Sequence, residues 1–122
     1  MVSAPPRLLD PPREINYVKL GEDLILSCVA EGNPPPRIEW FKDSGRLVDV
    51  LGLGIGKGGG KTGSQGQGRP RVRIANDGME LRISDIQAED LGDYTCLAKN
   101  DVHPHASALS RVMLAGEIFA SI

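Results

Sequence analysis

Apolar and polar residues alternate with a period of two along most of this chain. In residues 23–30, Leu24, Leu26 and Cys28 fall on one face of a strand. In residues 37–42, Ile38 and Trp40 share a face, while Glu39 and Phe41 take the other. The pattern resumes through Val72 and Ile74, then Leu81 and Ile83, then Tyr94, Cys96 and Ala98, and last Ala108, Val112 and Leu114. Residues 46–50 read as one further short apolar strand. Turn chemistry separates these runs: a Pro-rich stretch at 31–36, Asp43-Ser44-Gly45, Asn76-Asp77-Gly78 and Val102-His103-Pro104. Residues 87–90 fit a single helical turn, and no segment long enough for an ordinary helix follows a 3.6-residue period. The expectation is an all-β chain of about eight short strands, a sandwich or a barrel.

Two stretches break the alternation. Residues 1–12 hold four of the nine prolines, so they favour extended backbone and cannot hold a helix. They read as an N-terminal extension leading into the first strand. They carry no apolar leader stretch, so a secreted parent would have lost its leader. Residues 51–69 hold nine of the fifteen glycines and read as a flexible loop set into the domain. Residues 116–122 follow the last strand as a tail or linker.

The chain has 122 residues, enough for one domain with its own core. No apolar run is long enough to span a bilayer as a helix. A net charge of −2 and 4% aromatic content give no general attraction to nucleic acid and no base-stacking platform. Two cysteines are too few for a four-cysteine zinc site and enough for one disulfide.

Trp40 lies twelve residues after Cys28, and Tyr94 two residues before Cys96. Residues 90–96 have the form D-x-G-x-Y-x-C, and G-N-P-P-P-x-I-x-W-F-K, L-x-I-S-D-I and C-x-A-x-N surround it. Together these resemble the immunoglobulin superfamily, specifically the intermediate (I-set) domains of adhesion molecules, receptors and matrix proteins. The resemblance implies a two-sheet Greek-key sandwich over residues 6–115, with the Gly-rich insertion between strands C′ and D. It implies a Cys28–Cys96 disulfide between the sheets. Trp40 would pack on that bridge in a core with Leu26 and Leu81, and Tyr94 would hydrogen-bond back to the chain before its own strand. The cysteine spacing of 68 exceeds the family's usual one, and residues 51–69 account for almost all of the excess.

Residues 54–59 match G-x-G-x-x-G, but no strand precedes them and no helix follows, so a dinucleotide site is set aside. Gly60-Lys61-Thr62 mimics the end of a phosphate-binding loop, yet Ile55 stands where its first glycine belongs. His103 and His105 share a strand face, but no free cysteine completes a metal site, and they read as solvated loop residues. The serines have no histidine–acid framework. Neither an enzyme nor a cofactor is expected.

Two surface features remain. Residues 50–76 contain no acid, yet carry Lys57, Lys61, Arg69, Arg71 and Arg73. They form a candidate polyanion-binding stripe for sulfated glycosaminoglycan. The competing reading is a soluble loop and an ordinary edge strand, with one arginine paired to Asp90. The second feature is apolar. Parity sends Phe41, Leu97, Lys99, Leu109 and Met113 outward. Strands C, F and G are neighbours in the family, so these residues would form a patch with a basic rim and Phe41 as anchor. The competing reading is scattered single apolar residues.

The expected function is a non-catalytic extracellular recognition module, binding a protein partner or a second copy through the C–F–G face. A disulfide places it outside the cell or on its surface. The sequence has no N-x-[ST] acceptor to support that placement. The alternatives are a structural repeat of an intracellular sarcomeric filament, with its cysteines reduced, and a growth-factor receptor ectodomain that binds heparin.

Overall fold

The computed structural model describes residues 2–43, 45–47 and 71–116. The flexible-loop expectation for 51–69 and the tail beyond Gly116 lie outside the described residues. Among the described residues, ten strands occur in chain order: β1 (Ala4–Asp10), β2 (Ile15–Val18), β3 (Leu24–Ser27), β4 (Val29–Asn33), β5 (Arg37–Lys42), β6 (Gly45–Arg46), β7 (Val72–Ala75), β8 (Glu80–Ile83), β9 (Gly92–Lys99) and β10 (Ala106–Leu114). One 3-10 turn, Ala88–Asp90, precedes β9.

The strands form an immunoglobulin sandwich. One layer has the order β2-β10-β9-β5-β6. In the other, β3 pairs with β8 and β8 with β7, while β1 pairs with β4. Strands β3 and β4 form one run interrupted at Cys28, whose amide still donates to Met79 O at 2.8 Å.

The N-terminal segment serves both layers. Strand β1 runs antiparallel to β4, and after Pro11-Pro12 the chain crosses over as β2, parallel to β10. Consecutive prolines have no amides to continue a ladder, so the strand has to break there. This crossing and the interruption at Cys28 each add one strand to the expected number. The Pro-rich turn at 31–36 is also corrected: pairing with β1 keeps the chain extended through Asn33. The apolar strand expected at 46–50 is two described residues of strand followed by buried Leu47.

The core lies between the layers, on the inward parity of each strand. Leu26, Cys28, Trp40, Leu81, Tyr94 and Cys96 are all buried. Cys28 and Cys96 are joined, with Cα atoms 6.5 Å apart across a sequence separation of 68. A bridge closing so long a loop contributes about 4 kcal/mol in the chain-entropy account.

Candidate protein-binding face

Buried polar groups fix the frame that carries the surface. The Tyr94 hydroxyl donates to the Asp90 carbonyl at 2.6 Å. Burial pushes the Tyr94 phenol well above its usual pKa, with the charges of Asp90 and Asp43 adding to the effect and Arg71 opposing it. Arg71 donates to the buried Asp90 carboxylate at 2.5 Å, and the Gln87 amide donates to the same oxygen at 2.7 Å. The hydrogen bond to Asp90 holds the Arg71 guanidinium above its ordinary pKa. Arg71 is therefore part of the fold's frame, as the pairing alternative anticipated.

Two buried asparagines were not singled out by the strand parity. Asn100, the last residue of C-x-A-x-N, donates to Ala4 O at 2.9 Å and Pro34 O at 2.7 Å. Its Oδ1 accepts the Val102 amide at 3.0 Å. One side chain thus ties β1, the β4–β5 connection and the turn before β10. Asn16 donates to Ser110 Oγ at 2.8 Å and to Arg111 O at 3.0 Å, and Ser110 Oγ donates to Arg13 O at 2.6 Å. That chain of bonds locks β2 against β10. A polar residue on the inward parity of a strand, such as Ser110 between Ala108 and Val112, is the sequence signal that marks such a lock.

The outer face of the five-stranded sheet follows from the register. Phe41 stands opposite Thr95, and Thr95 opposite Leu109, in one row across β5, β9 and β10. Leu97 stands between Glu39 and Ser107 in the next row. Phe41 and Leu97 are half-buried, whereas Leu109 and Met113 are 46% and 43% exposed. The cationic rim is neutralised locally: Lys99 lies 3.6 Å from Glu39, and Arg111 lies 3.2 Å from Asp93.

Strand β2 extends this face, which parity alone did not reveal. Ile15 pairs with Arg111 and Tyr17 with Met113, and both β2 side chains are exposed at 42% and 52%. The weight of exposed apolar surface therefore sits on β2 and β10 rather than around Phe41. A shallow groove of about 460 Å³ adjoins it, bordered by Pro11, Pro12, Ile15 and Leu109 among others.

The basic stripe is divided. Lys57, Lys61 and Arg69 lie outside the described residues. Arg71 is held by Asp90 and, at 3.1 Å, by Glu89. Arg73 lies on the outer face of the other sheet, directly opposite Arg82. Arg82 is bonded to Glu80 at 2.8 Å, and this bond holds the Glu80 carboxyl below its ordinary pKa. His103 and His105 stack with ring centroids 4.7 Å apart. Among the described residues, no group of three or more His, Cys, Asp or Glu side chains is placed to hold a metal ion.

A family model described as an immunoglobulin domain matches residues 5–100. The chain is 41% identical over 115 residues to the Drosophila melanogaster protein named turtle, covering 94% of this chain and 6% of that protein. It is 30% identical to human neural cell adhesion molecule L1 over 84% of this chain and 7% of that protein. It thus spans a small fraction of the length of these relatives. Among solved structures, the Sidekick-1 immunoglobulin domains 1–4 superpose with a TM-score of 0.71 at 23% identity, over 94% of this chain and 25% of that one. A chimeric titin Z1Z2 superposes at 0.69 and 20% identity, over 93% of this chain and 97% of that one. With its sheet order, its joined cysteines and these matches, the chain belongs to the immunoglobulin domain family.

Proposed function

We propose that this domain is a non-catalytic recognition module in the extracellular part of a cell-adhesion protein. It binds protein through the outer face of the β2-β10-β9-β5-β6 sheet. One observation carries the reading: Ile15, Tyr17, Leu109 and Met113 are all exposed on neighbouring strands of one face. A clustered apolar surface beside neutralised charge pairs is the composition of an interface centre. The relative named as a neural cell adhesion molecule supports the adhesion setting. The Cys28–Cys96 bridge supports an oxidising compartment over the sarcomeric alternative, whose titin neighbours speak to the fold alone.

The test is binding of a fluorescent multimer of the domain to intact neural cells. Leu109→Glu combined with Met113→Glu removes the binding and leaves the melting temperature within a few degrees, since both side chains are exposed. Unchanged binding by this folded double variant overturns the assignment of the face.

A second reading is carried by the Arg73–Arg82 juxtaposition. Glu80 offsets the charge of Arg82, and Arg73 opposite it adds a further cation to that face, which an anionic partner relieves. In that reading the outer face of β7 and β8 takes a sulfated glycosaminoglycan. Heparin retention that shifts to lower salt in Arg73→Ala supports it, and elution unchanged from the parent domain rules it out.

A further inference from the structure

Strand β2 is the edge of its sheet, and its register decides which backbone groups face outward. The Arg111 amide donates to Glu14 O and the Ala115 amide to Val18 O, both at 2.8 Å. In the parallel register, with Ile15 beside Arg111 and Asn16 beside Val112, the even-numbered residues of β2 turn their backbone groups toward β10. The amides and carbonyls of Ile15 and Tyr17 therefore point away from the sheet. Among the described residues, no hydrogen bond engages them. No proline interrupts Ile15–Val18, and no charged side chain lies within it. Such protections commonly blunt an exposed edge, and here only the shortness of the strand does so.

This edge is its own complement. If two copies meet antiparallel about a two-fold axis beside Asn16, Ile15 of each stands opposite Tyr17 of the other. These residues turn both backbone groups outward, so each such pair exchanges two hydrogen bonds. Their side chains share the outer face, giving a β-branched residue against an aromatic twice over, a favourable cross-strand pairing. Met113 lies directly behind Tyr17 and Arg111 behind Ile15, and the Asp93–Arg111 ion pair on that face sets no net charge against its copy. Self-complementarity of this kind is what a closed two-fold interface requires.

We propose that the domain self-associates by pairing β2 edge to edge with a second copy, joining two five-stranded sheets into one. The contact is small, so the isolated domain forms a weak, concentration-dependent dimer, and several copies on apposed surfaces gain by multivalency. The proposal deepens the recognition reading by naming a partner for that face.

Sedimentation equilibrium of the domain, taken to about 1 mM, reads the association. Amide exchange reads its location, because the Ile15 and Tyr17 amides gain protection as concentration rises. Ile15→Pro removes an outward amide that β10 does not use, and Tyr17→Lys sets like charges beside the axis. Each weakens the dimer by about tenfold or more, with the melting curve confirming a folded chain. A monomer at every concentration overturns the proposal, as does a dimer untouched by both variants or unchanged exchange at those amides. Neural-cell binding that Leu109→Glu with Met113→Glu removes, with no dimer formed by the parent domain at any concentration, leaves the recognition reading standing while the edge pairing fails.

Discussion

Arg71 reaches from just before β7 to the buried carboxylate of Asp90 at 2.5 Å, and Asp90 in turn offers its carbonyl to Tyr94. This single acid is the joint between the edge of one sheet and the start of β9. Its carboxylate is shielded from water, while the Arg71 side chain remains about one-third exposed. Removing the cation leaves a buried charge held mainly by the Gln87 amide. Arg71→Ala is therefore expected to cost about 3 kcal/mol, read by urea denaturation. A loss below about 1 kcal/mol would mark the pair as an ordinary surface contact.

The same joint sets an alkaline limit. Burial, the largest cause, raises the Tyr94 phenol above its usual value near 10. A group whose pKa is raised on folding contributes stability that is whole below its unfolded pKa. That contribution is lost as pH rises toward the folded value. Stability should therefore begin to fall above about pH 10, approaching 1.4 kcal/mol per pH unit while only the unfolded chain ionises. In a Tyr17→Phe background the remaining tyrosine is Tyr94. Its phenolate absorbance should appear together with the unfolding change in Trp40 fluorescence. Ionisation near pH 10 in a folded chain would contradict this account.

The core was legible because strand parity is a one-dimensional signal. Trp40, Tyr94, Leu26 and Leu81 sit on inward positions whose apolar character reads directly from the chain. The proposed face was legible only in part, because outward parity does not give exposure. Phe41 and Leu109 share a row, yet neighbouring side chains half-cover Phe41 and leave Leu109 open. The contribution of Ile15 and Tyr17 was hidden because it depends on β2 crossing to lie beside β10. Two short strands separated by Pro11-Pro12 show that a break occurs, and not which sheet the chain enters next. The locks at Asn16 and Asn100 were hidden for a related reason: each side chain donates to a backbone carbonyl more than sixty residues away.

Gly78 joins the hairpin to the core. It closes the β7–β8 turn at φ +93°, following Asn76 and Asp77, which also adopt positive φ. Its carbonyl accepts the Trp40 indole N–H at 2.7 Å. A Cβ added there would lie 3.2 Å from both Cβ and O of Ile38. Gly78→Ala therefore meets two costs: a conformation that L side chains rarely adopt, and a close approach to the β5 backbone. The turn can relieve them only by moving the carbonyl that holds Trp40. The expected loss is about 2 kcal/mol, with an altered Trp40 emission maximum as the indole loses its acceptor. Asp77→Gly tests the conformational part alone, since it removes a side chain at a positive-φ position without adding an atom near Ile38. It is expected to leave the emission unchanged and to alter stability by less than about 1 kcal/mol. A Gly78→Ala variant with parental stability and emission would show that the turn does not set the position of the indole.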